Sequence, residues 1–148
     1  EMQRSLVGSE MCIRDRSMAN HMMVQKKLME QLKDTGLTLG QPKVLDYLKD
    51  HDGASQKEIA AGCLIEAGSL TSILNRMEEK GLIERKMLNG NRRTFHIFMT
   101  ESGKKNQKLV EETFEKIEET ALNNVSEEEQ KVFMEIFLRI YRNLAEIK

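Results

Sequence analysis

The feature that most constrains the fold is a central segment, residues 66–77, with two opposed faces. Apolar side chains recur at i, i+3, i+4 and i+7, at Leu70, Ile73, Leu74 and Met77. This spacing places them on one stripe of an α-helix that faces a core. The opposite face carries short polar side chains and one guanidinium, on Gly68, Ser69, Thr71, Ser72, Asn75 and Arg76. Such a face can approach a large polar surface such as the major groove of DNA, although an ordinary solvated helix can have the same composition.

A shorter helix is predicted directly before this segment. Ser55-Gln56-Lys57-Glu58 has the pattern of a capping box, in which a serine hydroxyl and a glutamate carboxylate satisfy free amides at a helix start. The pattern predicts a helix over residues 55–62, a tight turn, and then the polar-faced helix, which is expected to end at Gly81 in a left-handed cap. Two helices joined in this way form a helix-turn-helix, whose second helix is the recognition helix.

A β-hairpin is predicted after the recognition helix. Residues 82–88 and 94–99 have strand patterns, and Asn89-Gly90 between them is a strong hairpin signal. The segment Asn91-Arg92-Arg93 would lie at or just after the tip, so that two adjacent arginines are held away from the core. A recognition helix followed by a hairpin with a basic tip is a winged helix.

From residue 37 to residue 109, the order and spacing of these segments resemble the MarR-type bacterial transcription regulators. The matching segments are Leu37-Thr38-Leu39-Gly40-Gln41, Lys57-Glu58-Ile59-Ala60, residues 69–83, Asn91-Arg92-Arg93 and Met99-Thr100-Glu101-Ser102-Gly103. The wing motif of that family usually reads Asp-x-Arg and is followed by Leu-Thr. Here Asn91 and Met99 replace the Asp and the Leu, whereas Arg93 and Thr100 match. Asn91 can accept a hydrogen bond from Arg93 but cannot form the ion pair of the family motif.

The resemblance implies a mainly α-helical fold with a small β-hairpin wing. Residues 18–148 are expected to form a single domain. Within it, residues 37–100 would be the winged helix-turn-helix lobe that binds DNA, and residues 18–36 and 101–148 would be dimerisation helices. In the family, an effector bound between the dimer body and the winged-helix lobes changes the spacing of the recognition helices and releases DNA.

Residues 1–17 differ from the rest of the chain. They lack a sustained apolar period and the hydrophobic region of a signal peptide, and they closely resemble a translated sequencing adaptor. We therefore expect an artefactual or disordered leader, with the natural start near Met18. The alternative is a disordered arm that reaches DNA through three arginines, although three acidic residues in the segment offset their charge.

Helical patterns also flank the predicted lobe. One helix is expected over residues 20–34, with a methionine-containing stripe that fits a core or a dimer interface, and a second helix begins at Gln41-Pro42. After the wing, Thr100 is expected to cap a long helix that Asn123-Asn124 ends. Ser126 and Glu129 form a second capping box, at the start of the last helix.

The last helix has an unusually broad apolar surface. Its apolar side chains are Val132, Phe133, Ile136, Phe137, Leu138, Ile140, Tyr141, Leu144 and Ile147. This set is too wide for a helix that packs on one small domain. A second copy of the chain is the simplest partner, so we expect a homodimer.

The charge distribution supports the division into a DNA-binding lobe and dimerisation helices. The net charge is −1, but residues 55–108 contain ten basic and six acidic side chains, whereas residues 109–148 contain five and ten. A local basic surface on a dimer is compatible with binding to double-stranded DNA. No apolar run approaches the length of a membrane span, so we expect a soluble, cytoplasmic protein without a membrane partner.

The sequence contains no pattern typical of an enzyme. The three histidines are scattered without ligand-spaced partners, the two cysteines form no CxxC pair, and there is no glycine loop for phosphate or nucleophile elbow. We therefore predict no enzymatic activity, no metal site and no cofactor. Cys63 could be a redox-responsive thiol, but a small buried residue at the end of the first helix of the helix-turn-helix is the simpler interpretation.

The sequence thus predicts a homodimeric, sequence-specific regulator that represses transcription from a pseudo-palindromic operator and is released by a small effector. The alternatives are a winged-helix module for protein interaction, and a redox-responsive regulator that acts through Cys63. The candidate DNA-binding residues are Lys57, Ser69, Thr71, Ser72, Asn75, Arg76, Arg85, Lys86, Asn91, Arg92 and Arg93. Those on the recognition helix would contact bases and phosphates, the wing arginines the flanking minor groove or backbone, and Lys57, Arg85 and Lys86 phosphates.

Overall fold

The computed structural model describes residues 12–88, 90 and 93–148. In this part of the chain the order of elements is α1 (Ile13–Gln31), α2 (Gln41–Leu48), α3 (Gln56–Cys63), α4 (Ala67–Glu79), β1 (Ile83–Met87), β2 (Phe95–Met99), α5 (Glu101–Ala121) and α6 (Glu127–Ala145). The fold is mainly α-helical with one antiparallel hairpin, as predicted. The described residues form two compact units, which divide between Phe114 and Glu115.

The core of the first unit is formed by helices α2, α3 and α4, the hairpin and the amino-terminal part of α5. Its fully buried side chains include Val44, Leu45, Leu48, Ile59, Leu70, Leu74, Met77, Ile83, Ile97 and Val110. Burial of each such side chain contributes about 1.5–3 kcal/mol. On α4 the predicted apolar stripe is confirmed, with Ile73 half-buried beside Gly40.

The capping box of α3 is confirmed. The Ser55 hydroxyl accepts a hydrogen bond from the Glu58 amide at 3.2 Å, and the Ser55 amide donates to Glu58 Oε1 at 3.0 Å. These hydrogen bonds lower the pKa of the Glu58 carboxyl. The helix runs to Cys63, one residue beyond the predicted end, and Leu64 follows in the left-handed region with φ 55°.

The end of α4 also follows the sequence signal. Gly81 has φ +75°, its amide donates to Glu78 O, and the Leu82 amide donates to Met77 O at 2.9 Å. This pair of bonds is a Schellman motif. Because the Leu82 amide belongs to the helix cap, β1 begins at Ile83 and not at Leu82 as predicted.

The hairpin has a longer connection than the predicted one. The strands pair from Ile83↔Met99 to Met87↔Phe95, so residues 88–94 connect them. Predicted strand residues Leu88 and Thr94 therefore belong to the connection. Gly90 has φ +72°, while Asn89 lies outside the described residues.

The short segment before α3, residues 53–55, pairs with the hairpin strand β2. The Gly53 amide donates to Ile97 O at 2.7 Å, and the Ile97 amide donates to Ala54 O at 2.9 Å. His96, on the wing strand β2, donates from Nδ1 to Gly53 O at 2.8 Å. This hydrogen bond gives His96 a structural role in the packing of the wing. The wing is therefore tied to the start of the helix-turn-helix.

The first helix is longer at its amino end than predicted. It begins at Ile13 and not at residue 20, and thus includes the last five residues of the predicted leader. Cys12 is its extended N-cap, the Arg16 amide donates to Cys12 O at 2.9 Å, and Asp15 in the first turn complements the helix dipole. The helix ends at Gln31, before a 3-10 turn over Lys33–Thr35 and the left-handed Gly36.

Helix α5 is capped as predicted. Thr100 Oγ1 accepts from the Gly103 amide at 3.0 Å and donates to Gly81 O at 2.6 Å. In the same unit, Lys49 at the end of α2 donates to Glu111 on α5, and this bond raises the pKa of Lys49 and lowers that of Glu111.

In the second unit, the Ser126–Glu129 capping box of α6 is also confirmed. No residue of α6 is buried. Across both units, no helix in the described part of the chain is long and apolar enough to cross a membrane.

Candidate nucleic-acid interface

The polar face of α4 is a continuous exposed surface. Ser69, Thr71, Ser72, Asn75 and Arg76 are all exposed, opposite the buried stripe. Glu66, the N-cap, makes no side-chain hydrogen bond to the first turn. Hydroxyl, carboxamide and guanidinium groups, which this face carries, are the types that contact base edges and phosphates in protein–DNA complexes.

Thr71 is already engaged within the protein. Its hydroxyl donates to Ala67 O at 3.1 Å and accepts from Gln56 Nε2 at 2.8 Å. The hydroxyl proton of Thr71 is therefore committed to the helix backbone. Gln56, on the first turn of α3, is not among the residues that the sequence predicts for this surface, because its partner is 15 positions away along the chain.

Arg85 lies against the recognition helix. Its Nη1 donates to Asn75 Oδ1 at 2.8 Å and to Glu78 Oε1 at 3.2 Å, and its side chain is only 16% exposed. The sequence predicts Arg85 as a phosphate contact, whereas in the structure its guanidinium bonds to Asn75 and Glu78. Glu78 is not among the candidates, because a carboxylate near a DNA-binding surface repels phosphates unless a cation neutralises it. The sequence alone does not show that Arg85 is that cation.

The two lysine candidates are exposed. Lys57 is exposed on α3. Lys86 on β1 has its Nζ 3.6 Å from Glu84 Oε2 and 5.3 Å from the centroid of the Phe98 ring. Such exposed ion pairs contribute about 1 kcal/mol or less, so Lys86 can exchange its partner for a phosphate.

The wing candidates are only partly described. Arg93 is exposed just before β2. Asn91 and Arg92 lie outside the described residues. The described ends of the connection nevertheless place Arg93 beyond the last ladder pair, Met87↔Phe95, at the tip side of the hairpin.

Cys63 is a buried side chain beside α2. Its exposed fraction is 5%, and its Sγ lies 3.6 Å from Lys43 O. Burial raises the pKa of the thiol to about 11. Reactive cysteines have lowered pKa values in electropositive, accessible sites, so these features are those of a packing residue.

Cys63 is therefore expected to react slowly with thiol reagents in the folded protein. At pH 7.5 the raised pKa leaves roughly 100-fold less thiolate than an ordinary cysteine has, so labelling should be slower by about that factor or more. The measurement is the rate of disulfide exchange with an aromatic disulfide, for the Cys12→Ser variant with and without urea. Labelling at equal rates in the two conditions, or oxidant-triggered DNA release that Cys63→Ser abolishes, would instead support a redox role.

Comparison with known proteins identifies the family of this chain. A model of the MarR family matches residues 35–94. YwoH of Bacillus subtilis, an uncharacterized HTH-type transcriptional regulator, is 30% identical over 115 residues, 78% of this chain and 83% of YwoH. The crystal structure of the transcriptional regulator SlyA is similar with a TM-score of 0.81 at 25% identity, over 90% of this chain and 94% of SlyA. The S. aureus MepR–DNA complex is similar with a TM-score of 0.78 at 28% identity, over 86% of this chain and 94% of MepR.

Proposed function

Because the chain belongs to the MarR family of DNA-binding transcription regulators, we propose that it is a homodimeric repressor of a pseudo-palindromic operator, released from DNA by a small effector. Membership of this family confirms the predictions that the chain regulates transcription, binds DNA and is not an enzyme. We propose three further properties beyond family membership: the dimer, the repressor role and the effector. The effector is inferred from the family resemblance.

The observation that supports the DNA-binding mode is the exposed polar face of α4, opposite a stripe in which Leu70, Leu74 and Met77 are buried and Ile73 is half-buried. In the proposed mode, the amino-terminal half of α4 enters the major groove, where Ser69, Ser72 and Arg76 reach bases or phosphates. The first-turn amides, which the Glu66 side chain does not cap, can donate to a phosphate. MepR, 28% identical to this chain, was solved as a DNA complex, which supports the same use of the fold.

The wing supplies the second proposed contact. Arg92 and Arg93 would reach the flanking minor groove or backbone, where the negative potential favours arginine. Lys57 and Lys86 would contact phosphates and position the protein without reading sequence. The antiparallel hairpin and its backbone bonds to residues 53 and 54 hold the wing in place for this contact.

The dimer is supported by the apolar surface of α6. Phe133, Phe137 and Leu144 are 56%, 46% and 61% exposed, and the two phenylalanine rings stack with centroids 5.0 Å apart. A contiguous apolar surface of this kind is typical of an interface between subunits. A two-fold dimer would place two α4 helices on half-sites about one helical turn apart, roughly 10 bp.

The test is fluorescence anisotropy of the protein with labelled duplexes from its own promoter, at two salt concentrations. We expect operator binding that resists competitor DNA and weakens steeply with salt, because phosphate contacts release counterions. Arg93→Ala should reduce affinity by roughly 10-fold or more, since each subunit would lose about 1 kcal/mol or more.

The matched control is Lys116→Ala, which removes one positive charge from the acidic second unit. It should leave the affinity near that of the unmodified protein. Equal, weak binding to all duplexes would contradict the proposal and favour the alternative of a protein-interaction module.

A further inference from the structure

We propose that Arg85 sets the base specificity of the recognition helix by fixing the carboxamide of Asn75, so that Asn75 meets DNA as a hydrogen-bond donor. In this inference the base opposite Asn75 is guanine or thymine, whose edge atoms O6, N7 or O4 only accept, in preference to adenine, which also donates through N6. The inference rests on the proposed function and concerns specificity within the same site. Arg85 is a positioning residue, because it acts on DNA through Asn75.

The geometry determines which atom of Asn75 faces Arg85. Arginine carries only donors, so the atom 2.8 Å from Nη1 must be the carboxamide oxygen, and Nδ2 is turned to the other side. A free asparagine on a helix surface can rotate its amide by half a turn and offer either atom. Here one of the two orientations is selected by the guanidinium.

Arg85 is itself held firmly enough to impose this orientation. Its backbone lies in the middle of the hairpin ladder, where it pairs with Ile97. Its Nη1 also bonds to Glu78, on the next turn of α4, and only 16% of its side chain is exposed. In such a partly desolvated setting a charge-assisted hydrogen bond is stronger than at an open surface.

The chemistry of the base edges then separates adenine from guanine and thymine. Adenine is read by asparagine through both amide atoms, with N6 donating to the oxygen and Nδ2 donating to N7. With Arg85 in place, the N6 donor of adenine would have to share that oxygen with a cation that also donates to it. Guanine presents the acceptors N7 and O6, and thymine presents the acceptor O4. Each of these atoms can accept a hydrogen bond from Asn75 Nδ2, and none of them requires Asn75 Oδ1 as an acceptor.

The experiment is selection of bound duplexes from a library with a randomised operator, performed on the unmodified protein and four variants. Asn75→Ala identifies the position that Asn75 reads, because the preference there should disappear. Arg85→Met removes the donors but keeps a long side chain, and should increase the affinity for adenine at that position relative to guanine or thymine by roughly 5-fold or more. Arg85→Lys keeps a cationic donor and should retain most of the original preference.

Lys86→Met is the matched control on the same strand. It should weaken binding to all sequences alike, because phosphate contacts position without specifying. Thermal melts of each variant, followed by circular dichroism, establish that the variants compared are folded.

The outcomes separate the inference from the proposed function. If the unmodified protein selects no sequence, the proposed function fails and the inference fails with it. If it selects an operator but prefers adenine at the Asn75 position, or if Arg85→Met leaves the preference there unchanged, the inference alone is overturned. The same holds if Asn75→Ala changes the preference at no position.

Discussion

Gly103→Ala is expected to lower the free energy of unfolding by about 2–3 kcal/mol, at the upper end of the typical range for overpacked sites. A Cβ at this buried position in the first turn of α5 would overlap the carbonyl oxygen of Leu82. That oxygen is held in place, because it accepts from the Thr100 amide at 3.1 Å and the Leu82 amide is bonded to Met77 O. Neither backbone can move without breaking the cap of α4 or the start of α5.

The effect can be measured by urea unfolding followed by circular dichroism. Gly68→Ala is the matched control, since Gly68 lies in α4 and a Cβ there would have only Glu66 Oε1 nearby, at 3.6 Å. This control should raise stability by up to about 1 kcal/mol, because alanine favours the helix. An unfolding free energy for Gly103→Ala equal to that of the unmodified protein would mean that α5 does not pack on Leu82 in this way.

Phe137→Glu is expected to convert the protein to a monomer and to reduce operator affinity by roughly 100-fold or more. The substitution places a charge in the middle of the apolar face of α6, beside the stacked Phe133. An unpaired carboxylate that a subunit interface would bury is strongly unfavourable. A monomer loses the gain of holding two half-sites at once, which typically amounts to about 10²–10⁴ in affinity.

The measurements are sedimentation equilibrium and anisotropy with the operator duplex. Lys131→Glu is the matched control, because it introduces the same carboxylate on α6 at an exposed residue outside the apolar set. This control should remain dimeric. A dimeric Phe137→Glu protein would rule out this face of α6 as the subunit interface, whatever its effect on DNA binding.

Several elements of the fold follow from local signals in the sequence. Both serine capping boxes, the glycine that ends α4 and the buried stripe of α4 lie where the sequence predicts them. These signals work because a helix start or end is satisfied by groups within a few residues of it. The start of α1 was not recognised, because residues 13–17 lack an apolar period and Cys12 is an unusual N-cap.

The candidate site was predicted less completely. The residue types on the exposed face of α4 were recognised from their spacing, but their hydrogen-bond partners were not. Arg85 looks like a free cation in the sequence, whereas in the structure it bonds to Asn75, 10 residues earlier. The bond from Gln56 to Thr71 was likewise missed.

The sequence by itself therefore determined the elements, their caps and which face of α4 is polar, because these depend on the helical period and on nearby residues. Only the tertiary structure decided which hydrogen-bond donors and acceptors on that face remain available to DNA. The hairpin returns Arg85 to α4, and the turn after α3 brings Gln56 to Thr71. These contacts arise from the packing of separate elements around the buried core, so no local pattern encodes which donors and acceptors they occupy.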